Sequence, residues 1–229
     1  MGEEGRGKGR MTLDSPTRAL VHVAVAVATG DTEALRQRCI AARAAQVPPR
    51  WIDELLLQSL LNVGYALGLQ AFGVWREVNP APVAADMGEP VVHSAWQEWA
   101  ARGARVCHEV YGRTYHKLLV NLRALHPALE ALVLVDAYGK LMGRDGLDLK
   151  RRELCTIAEI AVLDTPRQLH AHLRGALNAD ATADEVDEVL ALVEGDIGTA
   201  QATRTWELWA DVRERNLGTG DGGRGTGTT

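Results

Sequence analysis

The sequence predicts an all-α protein organised as two tandem helical repeats, and two observations support this. The chain aligns with itself without a gap when residues 13–78 are placed on residues 147–212, an offset of 134 that puts Leu13 on Leu147. Apolar residues in the later copy recur at helical spacing, behind residue types that cap helices. Because a repeated unit usually cannot bury its apolar face alone, we expect the copies to pack together.

The internal repeat divides the chain into five parts. We predict a flexible head at 1–11, a degenerate N-terminal repeat at 12–80, a helical connection at 81–146, a C-terminal repeat at 147–215 and a disordered tail at 216–229. The head and the tail are rich in glycine and bury too little apolar surface to offset the entropy of ordering them. The aligned pairs extend through both copies: Leu13-Asp14 with Leu147-Asp148, Arg18 with Arg152, Leu35 with Leu169, Asp53-Glu54 with Asp187-Glu188, and Trp75 with Trp209.

The repeat also decides between strand and helix at the start of each copy. The alternating valines from Val21 to Val27 alone would indicate a strand. Their counterpart, Glu153–Leu163, has the spacing of one helical face and Asp148 placed to cap it, so we predict helix in both copies. Thr165 and Gln168 resemble a capping box for a helix from Pro166 to about Ala179, and Thr182 begins the next helix in the same way. A strand signal is confined to short stretches such as 132–135.

Composition excludes several classes of function. The net charge is -5 and the basic residues are scattered, so nucleic acid is not an expected partner. The three cysteines form no CxxC pair, which argues against a disulfide framework or zinc ribbon and fits a reducing cytoplasm. The longest apolar run, 19–28, is too short to span a bilayer, so we predict no membrane anchor.

His172 and Glu153 are the residues most suited to chemistry. His172 shares the apolar face of its helix with Leu169 and Leu173, so it should point inward. Glu153, on the preceding helix, could orient the imidazole and raise its proton affinity, giving an acid/base couple. The alternatives are a hydrogen-bonded core histidine and a carboxylate that only stabilises its helix dipole.

The sequence assigns no chemical role to His170, Glu159 or the two repeat-matched tryptophans. His170 leaves the helix about 200° from His172, so the two rings are a weak metal signal, and we predict neither a metal nor a cofactor. Glu159, flanked by apolar residues, faces either solvent or a cavity between the repeats. Trp75 and Trp209 are expected to be core anchors.

Two segments carry a resemblance to a known family. Residues 146–154, GLDLKRREL, and residues 170–182, HAHLRGALNADAT, resemble the signature of the carboxymuconolactone decarboxylase-like (AhpD-like) superfamily, and the similarity covers about residues 103–215. The resemblance implies an all-helical fold that oligomerises and, in one branch, decarboxylation of a lactone acid. The family's Glu and His fall on Glu153 and His172. His172 would then deliver a proton to carbon, Glu153 would orient the ring, and Arg152 or Arg174 would bind the substrate carboxylate.

This sequence departs from the family pattern in two ways. The peroxidase-like branch has a CxxC pair where this chain has Thr165 and Gln168. At these positions the chain therefore lacks the nucleophilic thiolate and the resolving thiol that peroxide reduction needs. In the first copy, Ala19 and Arg38 stand where Glu153 and His172 stand in the second. We therefore expect one active site per chain, in the C-terminal half.

Three functions remain in competition. The first is a cofactor-free, decarboxylase-like enzyme acting on a small-molecule substrate, by decarboxylation or a related proton transfer on a carboxylated lactone or organic acid. The second is a non-catalytic oligomeric module in which His172 and Glu153 pair in the core. The third is a thiol peroxidase that would need Cys155 or Cys39. Because a fused pair presents two similar surfaces, we expect a homo-oligomer, a ring of three chains.

Overall fold

A computed structural model describes residues 12–80 and 95–217, and every regular element in those ranges is helical. The all-α prediction is therefore confirmed. The predicted flexible head, residues 81–94 of the connection and residues 218–229 of the predicted tail lie outside the described residues. Residues 216–217, which were assigned to the tail, instead end the last helix.

The helices follow one another with short connections. In chain order they are α1 Ser15–Thr29, α2 Thr32–Ala44, α3 Pro49–Val78, α4 Trp96–Tyr111, α5 Tyr115–Leu125, α6 Leu129–Ala131, a π-helix Leu132–Met142, α7 Leu149–Val162, α8 Pro166–Asn178, α9 Ala183–Glu194 and α10 Thr199–Leu217. The chain from α4 to the π-helix forms the connection between the two copies.

Helices α1 and α7 lie side by side at the centre of the molecule, and the other helices of the repeats pack around them. Every residue from Val23 to Ala28 of α1 is buried, as is every residue from Arg152 to Ala161 of α7. A helix that is apolar on all sides belongs in the interior, which explains why the valines of α1 alternate without forming a strand.

Capping residues begin several helices where the sequence predicts. The side chains of Asp14 and Asp148 accept hydrogen bonds from Thr17 N and Arg151 N, and Thr182 forms a complete capping box with Glu185. The box predicted at Thr165 is wrong, because the Thr165 side chain makes no capping hydrogen bond. Helix α8 nevertheless starts at Pro166, whose missing N–H costs nothing at that position.

The helix bounds of the two predicted repeats correspond at an offset of 134. An offset of 134 carries the ends of α2 onto those of α8, and it carries α3 onto α9 and α10 together. The reciprocal ion pairs follow the same correspondence: Arg18 of the first copy pairs with Glu188 of the second, and Arg152 of the second pairs with Glu54 of the first. Each arginine also donates to a leucine carbonyl five residues earlier, at 2.9 and 3.0 Å. Side chains of both copies therefore hold the halves together.

Helix α3 is long and apolar enough to cross a membrane by length and composition. Gly64 interrupts it with a non-helical backbone (φ 74°, ψ 175°). The straight segments on either side, 49–63 and 65–78, are both shorter than the ~20 residues that a spanning helix needs. The kink falls at the position that corresponds to Gly198, just before α10 begins.

The connection between the copies contains a close backbone contact. A Cβ on Gly103 of α4 would lie 1.7 Å from the carbonyl oxygen of Leu134, and one on Gly139 would lie 2.3 Å from that of Trp99. These two glycines let α4 and the π-helix approach each other, and α4 in turn packs on α8. Residues 132–135, where the sequence carries a short strand signal, start the π-helix, in line with the all-α prediction. This packing places α4 over Glu153 of α7 and His172 of α8.

Candidate functional site

The structure brings Glu153 and His172 together. The Nδ1 atom of His172 lies 2.8 Å from the Oε2 atom of Glu153, across the contact between α7 and α8. Glu153 is fully buried, whereas 15% of the His172 side chain is exposed. A buried carboxylate thus holds one ring nitrogen, and the imidazole retains limited access to solvent.

Small and apolar residues close the site around the carboxylate. A Cβ on Gly175 of α8 would lie 2.6 Å from the Oε2 atom of Glu153 and 2.8 Å from the Cγ1 atom of Val110. Only glycine leaves room at this point for the carboxylate and for α4. The Oε1 atom of Glu153 is buried and has no hydrogen-bond partner among the described residues.

Glu153 controls the protonation of His172. Burial lowers the pKa of His172, but the negative charge of Glu153 and the hydrogen bond to it outweigh that effect, so the pKa is raised above its ordinary value. The imidazole is therefore more basic than a free histidine and can hold a proton near neutral pH. An imidazolium held by a fixed carboxylate is suited to general acid catalysis.

Three side chains of the connection, Cys107, Tyr111 and Tyr138, lie within electrostatic range of the carboxylate, and sequence reasoning missed them. Burial and the charge of Glu153 raise the pKa of Cys107 to about 12. Burial also raises the pKa of Tyr111 to about 12 and raises that of Tyr138, and the charge of Glu153 contributes to both shifts. All three groups are neutral near Glu153. The repeat gave no signal for them, because the connection has no counterpart in the first copy.

Arg152, predicted to bind substrate, occupies a different position. Its side chain is fully buried, and its guanidinium donates to Glu54, Gln58 and the backbone carbonyls of residues 54, 144 and 147. These partners use its donors inside the protein. Arg152 therefore joins the two copies, and a carboxylated substrate has no path to it.

Arg174, the other predicted substrate-binding residue, lies beside two cavities rather than beside Glu153 and His172. It follows His172 by two residues, so the two side chains leave α8 about 200° apart. Cavities of about 360 and 400 Å³ adjoin Arg174 and share it with Tyr111 and His170. Arg174 makes no hydrogen bond or ion pair with any residue in the described ranges. It is thus available to a ligand, although it does not contact Glu153 or His172.

Part of this chain is similar to known proteins. A model of the carboxymuconolactone decarboxylase family matches residues 129–211. The 4-carboxymuconolactone decarboxylase of Acinetobacter baylyi is 31% identical over 90 residues, which are 39% of this chain and 67% of that protein. The chain belongs to the carboxymuconolactone decarboxylase family. Peroxisomal protein 2 of Saccharomyces cerevisiae is 32% identical over 91 residues, 39% of this chain, and the match spans only 32% of that protein.

The first copy lacks the Glu–His pair that the second copy carries. Ala19 and Arg38 replace Glu153 and His172 at the corresponding positions. A nearby histidine, His22, has a pKa lowered mainly by burial and also by the positive charge of Arg38, which outweigh the opposite effect of Asp196. At these positions the first copy therefore has no counterpart of the carboxylate–imidazole pair.

The cysteines do not offer the thiol chemistry of the peroxidase-like branch. Cys39, Cys107 and Cys155 are all buried and free, and burial raises the pKa of each thiol. A peroxidatic cysteine must be an accessible thiolate, so these positions do not favour peroxide reduction. Within residues 12–80 and 95–217, no three His, Cys, Asp or Glu side chains cluster so as to hold a metal ion.

Glu159, whose environment the sequence left open, lies between the two copies. Its oxygens accept hydrogen bonds from Ser59 Oγ at 2.5 Å and Asn62 Nδ2 at 2.6 Å, both on α3. Burial raises its pKa to about 7, and the two hydrogen bonds only partly offset this. Glu159 is fully buried, so it bridges α7 and α3 rather than facing solvent.

Proposed function

We propose that this protein is a cofactor-free acid/base enzyme of the carboxymuconolactone decarboxylase family, acting on a small carboxylated lactone or a related organic acid. The observation that carries the proposal is the 2.8 Å contact between His172 Nδ1 and the buried Glu153. This contact gives a basic imidazole with one nitrogen held by a carboxylate, at the positions that the sequence resemblance assigns to the family's Glu and His. The relationship to the Acinetobacter baylyi decarboxylase supports the reaction class.

The chemistry needs one proton donor and no cofactor. In decarboxylation the carbon–carboxylate bond breaks, CO₂ leaves and the bonding electrons remain on the substrate carbon. The imidazolium of His172 donates a proton to that carbon and is reprotonated from solvent. Glu153 holds Nδ1–H, which directs Nε2 to the substrate and stabilises the protonated ring.

We further propose a fused, oligomeric enzyme of the cytoplasm with one active site per chain. The reciprocal ion pairs Arg18–Glu188 and Arg152–Glu54 support an origin by duplication, since both halves use the same contact in opposite directions. The loss of the acid/base pair at Ala19 and Arg38 leaves the first copy as a structural partner. Closed symmetry would bury the surfaces of such a pair, and mass measurement in solution tests the expected trimer.

The second candidate is a non-catalytic module, and the burial of the site favours it. Glu153 has no exposed surface, and His172 exposes only 15% of its side chain. In this alternative the pair only stabilises the contact between α7 and α8. It predicts that substitution of His172 lowers the melting temperature and that the wild-type protein releases no CO₂ from any carboxylated lactone.

The deciding experiment measures CO₂ release from 4-carboxymuconolactone by the wild type and by H172Q. We expect H172Q to lose about 10²–10⁴-fold in kcat, the range of general acid catalysis, while its circular dichroism remains that of a folded protein. H116Q is the control, because His116 is an exposed histidine of α5. Equal turnover by H172Q and H116Q would refute the proposal.

A further inference from the structure

The two cavities that adjoin Arg174 lie next to each other beside α8 and share part of their lining. Tyr111, His170 and Arg174 line both of them. The ends of α4 and α10 complete the first cavity, and α5 with the π-helix completes the second. Together they offer about the volume of a typical small-molecule site.

Positive charge is concentrated on this surface. Arg113 and Arg215 line the first cavity, Lys117 and Arg167 line the second, and Arg174 lines both. No carboxylate is among the residues that line either cavity, although Asp211 lies 2.8 Å from Arg215 and 3.6 Å from His170. The chain as a whole carries a net charge of -5, so its composition does not account for this cluster. An anion would relieve the repulsion among these groups.

The second cavity adds an apolar wall. Leu118, Leu122 and Leu125 come from α5, and Val133 comes from the π-helix. Leu125 exposes 69% of its surface. An exposed leucine beside Lys117, Arg167 and Arg174 fits a ligand that has a hydrocarbon part and an anionic end.

We propose that these cavities bind an amphipathic carboxylate, a medium-chain aliphatic acid, with its carboxylate on Arg174 and its chain along Leu118, Leu122 and Val133. This inference goes beyond the proposed function, because Arg174 and His172 leave α8 on different faces and binding does not require turnover. Tyr111 connects the two regions, since it lines both cavities and lies within electrostatic range of Glu153.

Calorimetric titration of the full chain with octanoate tests the site. Octan-1-ol has the chain without the charge, and acetate and inorganic phosphate have charge without a chain. We expect octanoate to bind about tenfold more tightly than each of them. Equal binding of octan-1-ol would make the site merely apolar, and equal binding of acetate or phosphate would make it a simple anion site; either result overturns the proposal.

Matched variants locate the binding. R174Q should weaken octanoate binding about tenfold, because a hydrogen bond between charged groups is lost. The control is R105Q, which removes an exposed charge of α4 that lines neither cavity, and it should have no effect. L122S should weaken octanoate and leave acetate unchanged, with the exposed L132S as control. H172Q should bind octanoate like the wild type, which separates this site from the proposed catalysis. Equal losses in R174Q and R105Q would contradict the assignment.

Discussion

The guanidinium of Arg152 and the carboxylate of Glu54 form an ion pair inside the protein, with Nη2 and Oε2 2.8 Å apart and side chains 0% and 1% exposed. Arg144 donates to the same carboxylate. The corresponding pair on the other side of the contact, Arg18–Glu188, is more accessible, at 22% and 15%. The two pairs therefore perform one structural task in different environments.

Removing the buried arginine should be far more costly than removing its accessible counterpart. R152Q leaves Glu54 buried with only Arg144 as a charged partner, so we expect a loss of about 3 kcal/mol in the free energy of unfolding. R18Q should cost about 1 kcal/mol, because solvent replaces part of the interaction. Urea unfolding followed by circular dichroism measures both. Equal losses would show that burial does not distinguish the pairs.

Glu159 should make the protein less stable as the pH rises. Its pKa is about 7 in the folded protein and near 4.5 when exposed, so the folded state binds more protons between these values. The contribution of Glu159 to the free energy of unfolding therefore falls by up to about 3 kcal/mol as the pH rises from about 5 to 7. E159Q should lose this decline, so the stability of E159Q relative to the wild type should increase with pH. Parallel pH profiles for the two proteins would contradict the assignment.

His172 should also make the protein less stable as the pH rises, but here because the imidazole loses its positive charge. Its folded pKa lies above the ordinary value of 6.5, so its contribution is complete below that pH and is lost as the pH rises through the folded value. Thermal melts should show a larger gap between wild type and H172Q at pH 6 than at pH 9. H116Q should show no such trend. A constant gap would mean that the imidazole is not protonated against Glu153.

Gly175 should be intolerant of even a methyl group. Alanine is favoured over glycine by about 1 kcal/mol within a helix, but at this position its Cβ would lie 2.6 Å from a buried carboxylate oxygen. We expect G175A to be destabilising and to displace Glu153 from His172. G73A is the matched control, since nothing lies within 4 Å of a Cβ there and the substitution should stabilise α3. If both variants gain stability, the tight packing at Gly175 is refuted.

The contact between Glu153 and His172 was accessible from the sequence because it depends on local rules. Helical spacing turns His172 inward, and Asp148 fixes the start of α7, so consecutive helices present the two side chains to each other. The pairing of Arg152 with Glu54 spans 98 positions. A signal for it existed in the repeat, where Arg152 aligns with Arg18 and Glu54 with Glu188.

The connection was the least predictable part. Residues 132–135 are apolar and partly β-branched, which mimics a strand. In the structure they start a π-helix that packs closely on α4, with Gly103 of α4 against Leu134 and Gly139 of the π-helix against Trp99. No local pattern specifies such a contact. This contact brings Cys107, Tyr111 and Tyr138 within electrostatic range of Glu153, so their relation to the carboxylate required the three-dimensional structure.

The dependence of turnover on pH tests the central role of Glu153 and His172 most directly. If His172 donates the proton, kcat/KM for CO₂ release falls as the pH rises through its raised pKa. E153Q removes the charge that raises this pKa, so the fall should move to lower pH, and H116Q should leave the profile unchanged. A profile that is identical in the wild type and E153Q, or turnover that survives in H172Q, would contradict the account.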